Sequence, residues 1–251
     1  MNLSVCIPMF FKNTPIAEAI PQIAELGYSY AEFWGLPKDT DIDAVCDACK
    51  KYGVTLVAMC PDKHKMTDSE YHNEYLESLE TACKNAVAMG IKRIITQVGP
   101  DTGAARKIQH ANIVDCLKRS VPILEKYGIT LVVEPLNTLV DHKGYYLVTS
   151  AEGFDIIREV ASDNVKLLFD IYHQQVSEGN VISNIVENLD LIGHLHAAGC
   201  PGRHELDTGE LNYKEIFRAI DNAGYNGCCA LEYKPLTDPK ESLVNSKIYM
   251  D

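Results

Sequence analysis

The sequence predicts a single (β/α)8 TIM barrel, and three observations carry that expectation. Eight short, apolar, largely β-branched runs alternate with longer stretches of helical periodicity. Three of the helical stretches share one ending, a glycine followed within one or two residues by a strand, at Gly90, Gly128 and Gly224. The chain has 251 residues, about the length of one such barrel, with no Gly/Ser-rich linker and no break in composition. One domain is therefore expected over residues 1–251.

The strand candidates run in order as "LSVCI" (3–7), "YAEF" (30–33), "VTLVAM" (54–59), "RIITQV" (93–98), "ITLVVE" (129–134), "VKLLFD" (165–170), "LIGHLH" (191–196) and "GCCALE" (227–232). Between the first two, "TPIAEAIPQIAELG" puts Ile16, Ile20, Ile23 and Leu26 on one helical face. The stretches "YLESLETACKNAVAMG", "HANIVDCLKRSVPILEKYG" and "YKEIFRAIDNAG" then supply the repeated glycine ending. The rival architecture is a doubly wound open sheet. It calls for a glycine-rich phosphate turn after the first strand, and "CIPMFFKN" has no glycine.

A formal net charge of −12 disfavours nucleic acid as a partner, because phosphate binding needs a basic face. A local basic pocket for a small anionic substrate remains compatible with it. Nine cysteines are scattered and odd in number, and Cys6, Cys60 and Cys83 sit in apolar segments. No pair has zinc-knuckle spacing, since Cys46 and Cys49 fall within a helical pattern and Cys228 and Cys229 are adjacent. Free thiols in a reduced cytoplasm are expected. The opening "MNLSVCIPMFFK" lacks a basic segment and a cleavage-like site, and reads as the first strand. No apolar run approaches the roughly 18 residues of a membrane span, so no membrane partner is expected. A homo-oligomer is left open.

Barrel active sites lie at the C-terminal strand ends, where side chains from different strands converge. The fifth strand ends at Glu134, the sixth at Asp170, the seventh at His196 and the eighth at Glu232. Asp170 alone could equally be a helix cap. Taken together, three carboxylates meeting at one axis would repel and partly protonate unless a cation balanced them. Three carboxylates and an imidazole suit Mg²⁺ or Mn²⁺ better than structural zinc, with the imidazole leaning towards Mn²⁺ or Co²⁺. Four protein ligands leave two octahedral positions for adjacent substrate oxygens. An ion holding a carbonyl and a hydroxyl acidifies the C–H between them and stabilises the enediolate. Glu134 and Glu232, three strands apart, are the candidates for the acid/base pair.

The segments "VVEPLN", "FDIYH", "HLHAAGCPGRHELDTGELNY" and "GCCALEYKP", in this order, resemble the xylose isomerase-like barrel superfamily and, within it, the hydroxypyruvate isomerase family. The likeness runs from "FWGLPKDTDI" to "EYKP", and "PGRHELDTGELNY" is its most specific part. It implies a Mg²⁺- or Mn²⁺-type site on Glu134, Asp170, His196 and Glu232, and a substrate-oxygen contact from His173. Some hydroxypyruvate isomerases carry glutamine at the seventh-strand position, so His196 departs towards the ketose 3-epimerases. Those epimerases carry a second glutamate six positions after the fifth-strand ligand, where this chain has Val140. The balance implies isomerisation of a short keto acid or ketose, with a proton moved between C2 and C3, or C1 and C2.

Several neighbours carry two readings each. His173 is either a pocket residue or a surface histidine opening a helix. Arg203 is either a bidentate clamp for a substrate carboxylate or a loop-fixing partner of Glu205 or Asp207. Glu205 is expected to hold that loop. His194, two residues before His196, shares its face and is either a partner behind a ligand or a core histidine, with the core favoured. Glu32 either walls the pocket or faces water, Trp34 either walls it or packs, with packing favoured, and His64 lies on the correct barrel face but, between lysines, is assigned to a solvated loop. His142, Lys143 and Tyr145 form a candidate lid. Three other functions compete. A ketose 3-epimerase, or a sugar aldose-ketose isomerase acting on a longer substrate, is favoured by His196 and opposed by Val140. A nuclease of the endonuclease IV type would need more histidines and a basic groove. A non-catalytic sugar-binding barrel would be expected to have lost ligands, and all four strand ends are intact.

Overall fold

Every apolar run of the sequence becomes a parallel strand. The computed structural model describes residues 1–250, with β1 (Asn2–Cys6), β2 (Tyr30–Glu32), β3 (Thr55–Leu56), β4 (Ala58–Met59), β5 (Arg93–Thr96), β6 (Thr130–Val133), β7 (Val165–Asp170), β8 (Ile192–Ala197) and β9 (Cys228–Leu231). The sheet order is β3-β2-β1-β9-β8-β7-β6-β5-β4. Its two ends, β3 and β4, are halves of one run interrupted at Val57, so the sheet curls into a nearly closed barrel. The first half pairs with β2 and the second with β5. The fifth to eighth runs of the sequence are thus β6 to β9.

The helices are α1 (Ile7–Phe10), α2 (Ile16–Glu25), α3 (Ile42–Tyr52), α4 (His72–Ala88), α5 (Arg106–Tyr127), α6 (Ser150–Val160), α7 (Ile171–Ser177), α8 (Val181–Glu187), α9 (Tyr213–Asn222) and α10 (Pro239–Ser246). Two exceed the simple alternation: α1 follows β1 directly, and α7 and α8 share the connection from β7 to β8. Gly128 ends α5 in the left-handed region at φ 63°, where a residue with a Cβ is strained. Ala161 does the same at the end of α6 without that relief, at φ 54°. All nine cysteines are free. No described helix is long and apolar enough to cross a membrane.

Strand alternation divides the side chains into two sets. One set packs outward under the helices, as the continuous core that includes Val5, Ile94, Leu131, Val133, Leu167, Phe169 and Leu195. The other fills the barrel axis with Val57, Cys60, Ile95, Val132, Leu168 and Cys228. Period two along these inward faces then fixes what stands above that apolar plug.

Candidate active site

Two residues beyond Ile95, Val132 and Leu168 come Gln97, Glu134 and Asp170, and four beyond Cys228 comes Glu232. The β7–β8 register sets Leu168 beside His194 and Asp170 beside His196. The same alternation that buries the plug therefore aims the polar set at the axis, on the C-terminal side of the barrel. Nδ1 of His196 lies 3.1 Å from Glu232 Oε2, 3.7 Å from Glu134 Oε1 and 4.0 Å from Asp170 Oδ2. One potential ligand atom from each of these four buried side chains lies within 4.8 Å of all the others.

Each of the four also turns a second atom away from the cluster. Glu134 Oε2 accepts from Gln97 Nε2 at 2.9 Å, and Glu232 Oε1 accepts from Trp34 Nε1 at 2.8 Å. Asp170 Oδ1 accepts from the His173 backbone N–H at 3.1 Å. Asp170 is therefore both a helix cap, for α7, and a member of the cluster. His196 Nε2 lies 2.9 Å from Glu32 Oε1, off the direction of a well-formed hydrogen bond.

The charges are in conflict where the four meet. Burial, with Glu232 and Asp170 beside it, pushes the Glu134 carboxyl up to about 8 against the pull of His196. Burial also opposes ionisation of Glu232, but His196 and Arg203 overcome it and hold the group well below the usual range. His196 is raised far above an ordinary histidine, because Glu32 and Glu232 outweigh the cost of burying its charge. Burial likewise opposes Glu32, yet His196 and His194 bring it down to about 2. Three buried carboxylates converging on one imidazole, one of them pushed to the neutral form, are a donor set that a divalent cation would relieve. The oxygen-rich composition fits a hard octahedral ion such as Mg²⁺ or Mn²⁺.

His173 is fully buried and lies in the pocket, so the surface reading does not hold. Its Nδ1 accepts from Asn137 Nδ2 at 2.6 Å, which leaves the ring proton on Nε2, 3.6 Å from Asp170 Oδ2. Burial lowers this imidazole to about 4, so it is neutral at pH 7. Arg203 departs from the pairing with Glu205 or Asp207: its Nη2 reaches Glu232 Oε2 at 2.6 Å and Asp170 Oδ2 at 3.7 Å. The loop that delivers it is folded on itself, with Gly199 N–H donating to His204 O at 2.8 Å and Glu210 N–H to Cys200 O at 2.7 Å. Gly209 sits at φ +85° against the Cys200 carbonyl, where any Cβ would overlap it. Glu205 anchors the loop to α10 through the Ser242 hydroxyl and to the segment before α10 through the Leu236 N–H, both at 2.9 Å.

The cavity above the cluster measures about 770 Å³ and is lined by Glu134, His173, His196, Arg203 and Glu232 from the predicted set. Asp170 joins the cluster without lining the cavity. His142, Lys143 and Tyr145 stand on its rim, and Tyr145 pins the loop by donating to Glu134 O at 2.9 Å and accepting from Val98 N–H at 2.8 Å. His64 also lines the cavity, from a loop in which Lys63 and Lys65 are exposed. Val140 is 68% exposed and takes no part. Trp34 is 45% exposed and hydrogen-bonded to Glu232, so it walls the cavity instead of packing inside the core. Sequence reasoning passed over Gln97 and Asn137. Gln97 had a signal, its place two residues after an inward isoleucine. Asn137 had none, because its role depends on a loop fold.

A sequence model of the xylose isomerase-like TIM barrel family matches residues 20–247. Hydroxypyruvate isomerase of Escherichia coli (strain K12) is 36% identical over 260 aligned positions, covering 97% of each chain. The 2-oxo-tetronate isomerase of Cupriavidus necator is 41% identical over 123 positions, 49% of this chain and 47% of that one. Among solved structures, a family 2 AP endonuclease from Brucella melitensis superposes with a TM-score of 0.92 at 27% identity, over 100% of both chains. D-allulose 3-epimerase from Methylomonas sp., solved with D-allulose, shares the fold with a TM-score of 0.84 at 20% identity, over 99% of this chain and 95% of that one. With one sequence model spanning nearly the whole barrel and a full-length relative at 36% identity, the chain belongs to the xylose isomerase-like TIM barrel family and, within it, to the hydroxypyruvate isomerase family.

Proposed function

We propose that this isomerase is metal-dependent and moves a proton between adjacent carbons of a small hydroxy-carbonyl compound, the class to which the hydroxypyruvate named for its 36%-identical relative belongs. The observation that carries the reading is the convergence of Glu134 Oε1, Asp170 Oδ2, His196 Nδ1 and Glu232 Oε2 at one end of the barrel. Those four side chains would hold Mg²⁺ or Mn²⁺. Such an ion would balance the carboxylates and polarise neighbouring carbonyl and hydroxyl oxygens of the substrate, acidifying the C–H between them.

The chain's own residues do the rest. Glu134 and Glu232 reach the cavity from strands three apart, so one takes the proton from the first carbon and the other serves the neighbouring carbon or its oxygen. His173, neutral and with its proton on Nε2, donates a hydrogen bond to a substrate oxygen. Arg203 supplies a fixed positive charge at the same end of the cavity, suited to a substrate carboxylate.

A second reading, epimerisation or isomerisation of a longer ketose, is favoured by the cavity of about 770 Å³, far larger than a three-carbon acid. Nuclease action is disfavoured by the net charge of −12. The deciding experiment incubates the Mn²⁺-supplemented protein in D₂O with hydroxypyruvate, tartronate semialdehyde and C4 to C6 ketoses. NMR then scores isomer, epimer and deuterium uptake. A short keto acid should isomerise with deuterium entering at the reacting carbon, and the Glu232→Gln variant should abolish that exchange. Turnover that persists in chelator, with no metal bound, would overturn the reading.

A further inference from the structure

Three of the four cluster side chains have their outward atoms held by neutral donors: Gln97, the His173 N–H and Trp34. The fourth, His196, is backed by a charge. Glu32 Oε1 lies 2.9 Å from His196 Nε2, and Glu32 Oε2 lies 2.6 Å from His194 Nε2. All three side chains are at most 2% exposed, and no Lys or Arg pairs with Glu32 among the described residues. The two imidazole rings are nearly perpendicular, at 81°, and each meets a different oxygen of the carboxylate. An ionised carboxylate this deep needs donors or cations beside its oxygens, and among the described residues the two imidazoles are the cationic-capable groups that pair with it.

We propose that Glu32 is a positioning residue for His196, and that His194 holds Glu32 in place. The inference rests on the metal reading given above. A carboxylate oxygen faces each ring nitrogen, Glu32 Oε1 at Nε2 and Glu232 Oε2 at Nδ1, so when a cation displaces the Nδ1 proton the ring keeps the one that Glu32 faces. The Nδ1 lone pair is then left pointing at Glu134, Asp170 and Glu232, which is the form a cation needs. Glu32, His194 and His196 could be taken instead for a second cation site, since their ligand atoms also lie within 4.8 Å of one another. That use would need the Nε2 lone pair of both rings, and His196 would have to give up both its protons. A carboxylate that faces a protonated Nε2 avoids this.

The test titrates Mn²⁺ into the metal-stripped full chain and counts free ion by EPR. The wild type should bind one ion per chain, and Glu32→Gln should bind the same number about 10- to 100-fold more weakly. An unchanged affinity in Glu32→Gln, beside a wild type that binds, overturns the role of Glu32 and leaves the metal reading intact. A wild type that binds no Mn²⁺ overturns the metal reading itself. Two ions per chain overturn the positioning role in favour of a second site. A further measurement needs no variant: ¹⁵N NMR of the Mg²⁺-loaded wild type should find the His196 ring proton on Nε2. A proton on Nδ1 overturns the inference.

Discussion

The Trp34 indole N–H donates a 2.8 Å hydrogen bond to Glu232 Oε1 across 198 positions of sequence. That bond occupies one carboxylate oxygen and turns the other towards His196 and Arg203, at 3.1 and 2.6 Å. Hydrogen bonds to charged groups contribute about 1.5–3 kcal/mol, and 1.4 kcal/mol is about tenfold in rate. Trp34→Phe keeps an aromatic wall and removes the donor. It should lower kcat/KM roughly tenfold while the thermal midpoint moves by only a few degrees. Steady-state kinetics beside a melting curve check this, and an unaltered kcat/KM would reduce Trp34 to a wall.

Removal of metal should make stability fall with pH in a way that the loaded protein does not share. Glu134, pushed up to about 8, and His196, raised far above its ordinary value, both hold protons more tightly when folded than when unfolded. For each, the native state binds more protons than the unfolded chain, so stability is lost as pH rises through the folded value. Glu232 and Glu32 run the other way, but their contribution is lost only as pH falls below the ordinary carboxylate range. His173, lowered to about 4, loses its influence above its unfolded value near 6.5. Between pH 7 and 8.5 the metal-free melting temperature should therefore decline. The gap to the Mg²⁺-loaded protein should widen over the same interval. A constant gap would mean that the ion does not replace those protons.

The barrel and its polar floor were legible in the sequence because both follow from period two. Val132 and Leu168 announce which way Glu134 and Asp170 point once the strands close on an axis. The break of the third strand at Val57 carried no signal, since "VTLVAM" is continuous in composition. Glu32 was ambiguous because a three-residue strand, β2, shows too little alternation to assign a face. Its two histidine partners are set by barrel closure, which no local pattern encodes. Arg203 was readable as a charge beside the site, but its partners were not. They depend on a loop that turns its backbone to φ +58° and carries the guanidinium back over Tyr172.

Arg203 should discriminate acids from plain sugars. Its Nη2 is committed to Glu232 and Asp170, and no protein hydrogen bond engages Nη1 among the described residues. A planar guanidinium can serve both the cluster and a substrate carboxylate, whereas an ammonium cannot fork in that way. Arg203→Lys should raise KM for hydroxypyruvate by roughly tenfold or more, and raise KM for a carboxylate-free ketose much less. Equal losses on both substrates would assign Arg203 to the cluster alone.

Asn137 should matter through the tautomer of His173. Its side-chain amide donates to His173 Nδ1 at 2.6 Å, while its carbonyl oxygen accepts from the Val140 and Asp141 N–H groups at 3.0 and 3.1 Å. One side chain thus ties the loop after β6 to the imidazole that faces the cavity. Asn137→Ala removes the shorter of two donors to Nδ1 and leaves the backbone N–H of residue 137 at 3.4 Å, so the hold on the tautomer weakens and the Nε2–H is less often available to a substrate oxygen. A neutral buried hydrogen bond contributes about 1 kcal/mol, which sets an expected loss of about fivefold in kcat/KM. The same variant should speed hydrogen exchange at Val140 and Asp141, since their acceptor is gone. Faster exchange with unchanged kcat/KM would confine Asn137 to the loop, whereas a kinetic loss with a shifted His173 ¹⁵N signal would place its effect at the ring.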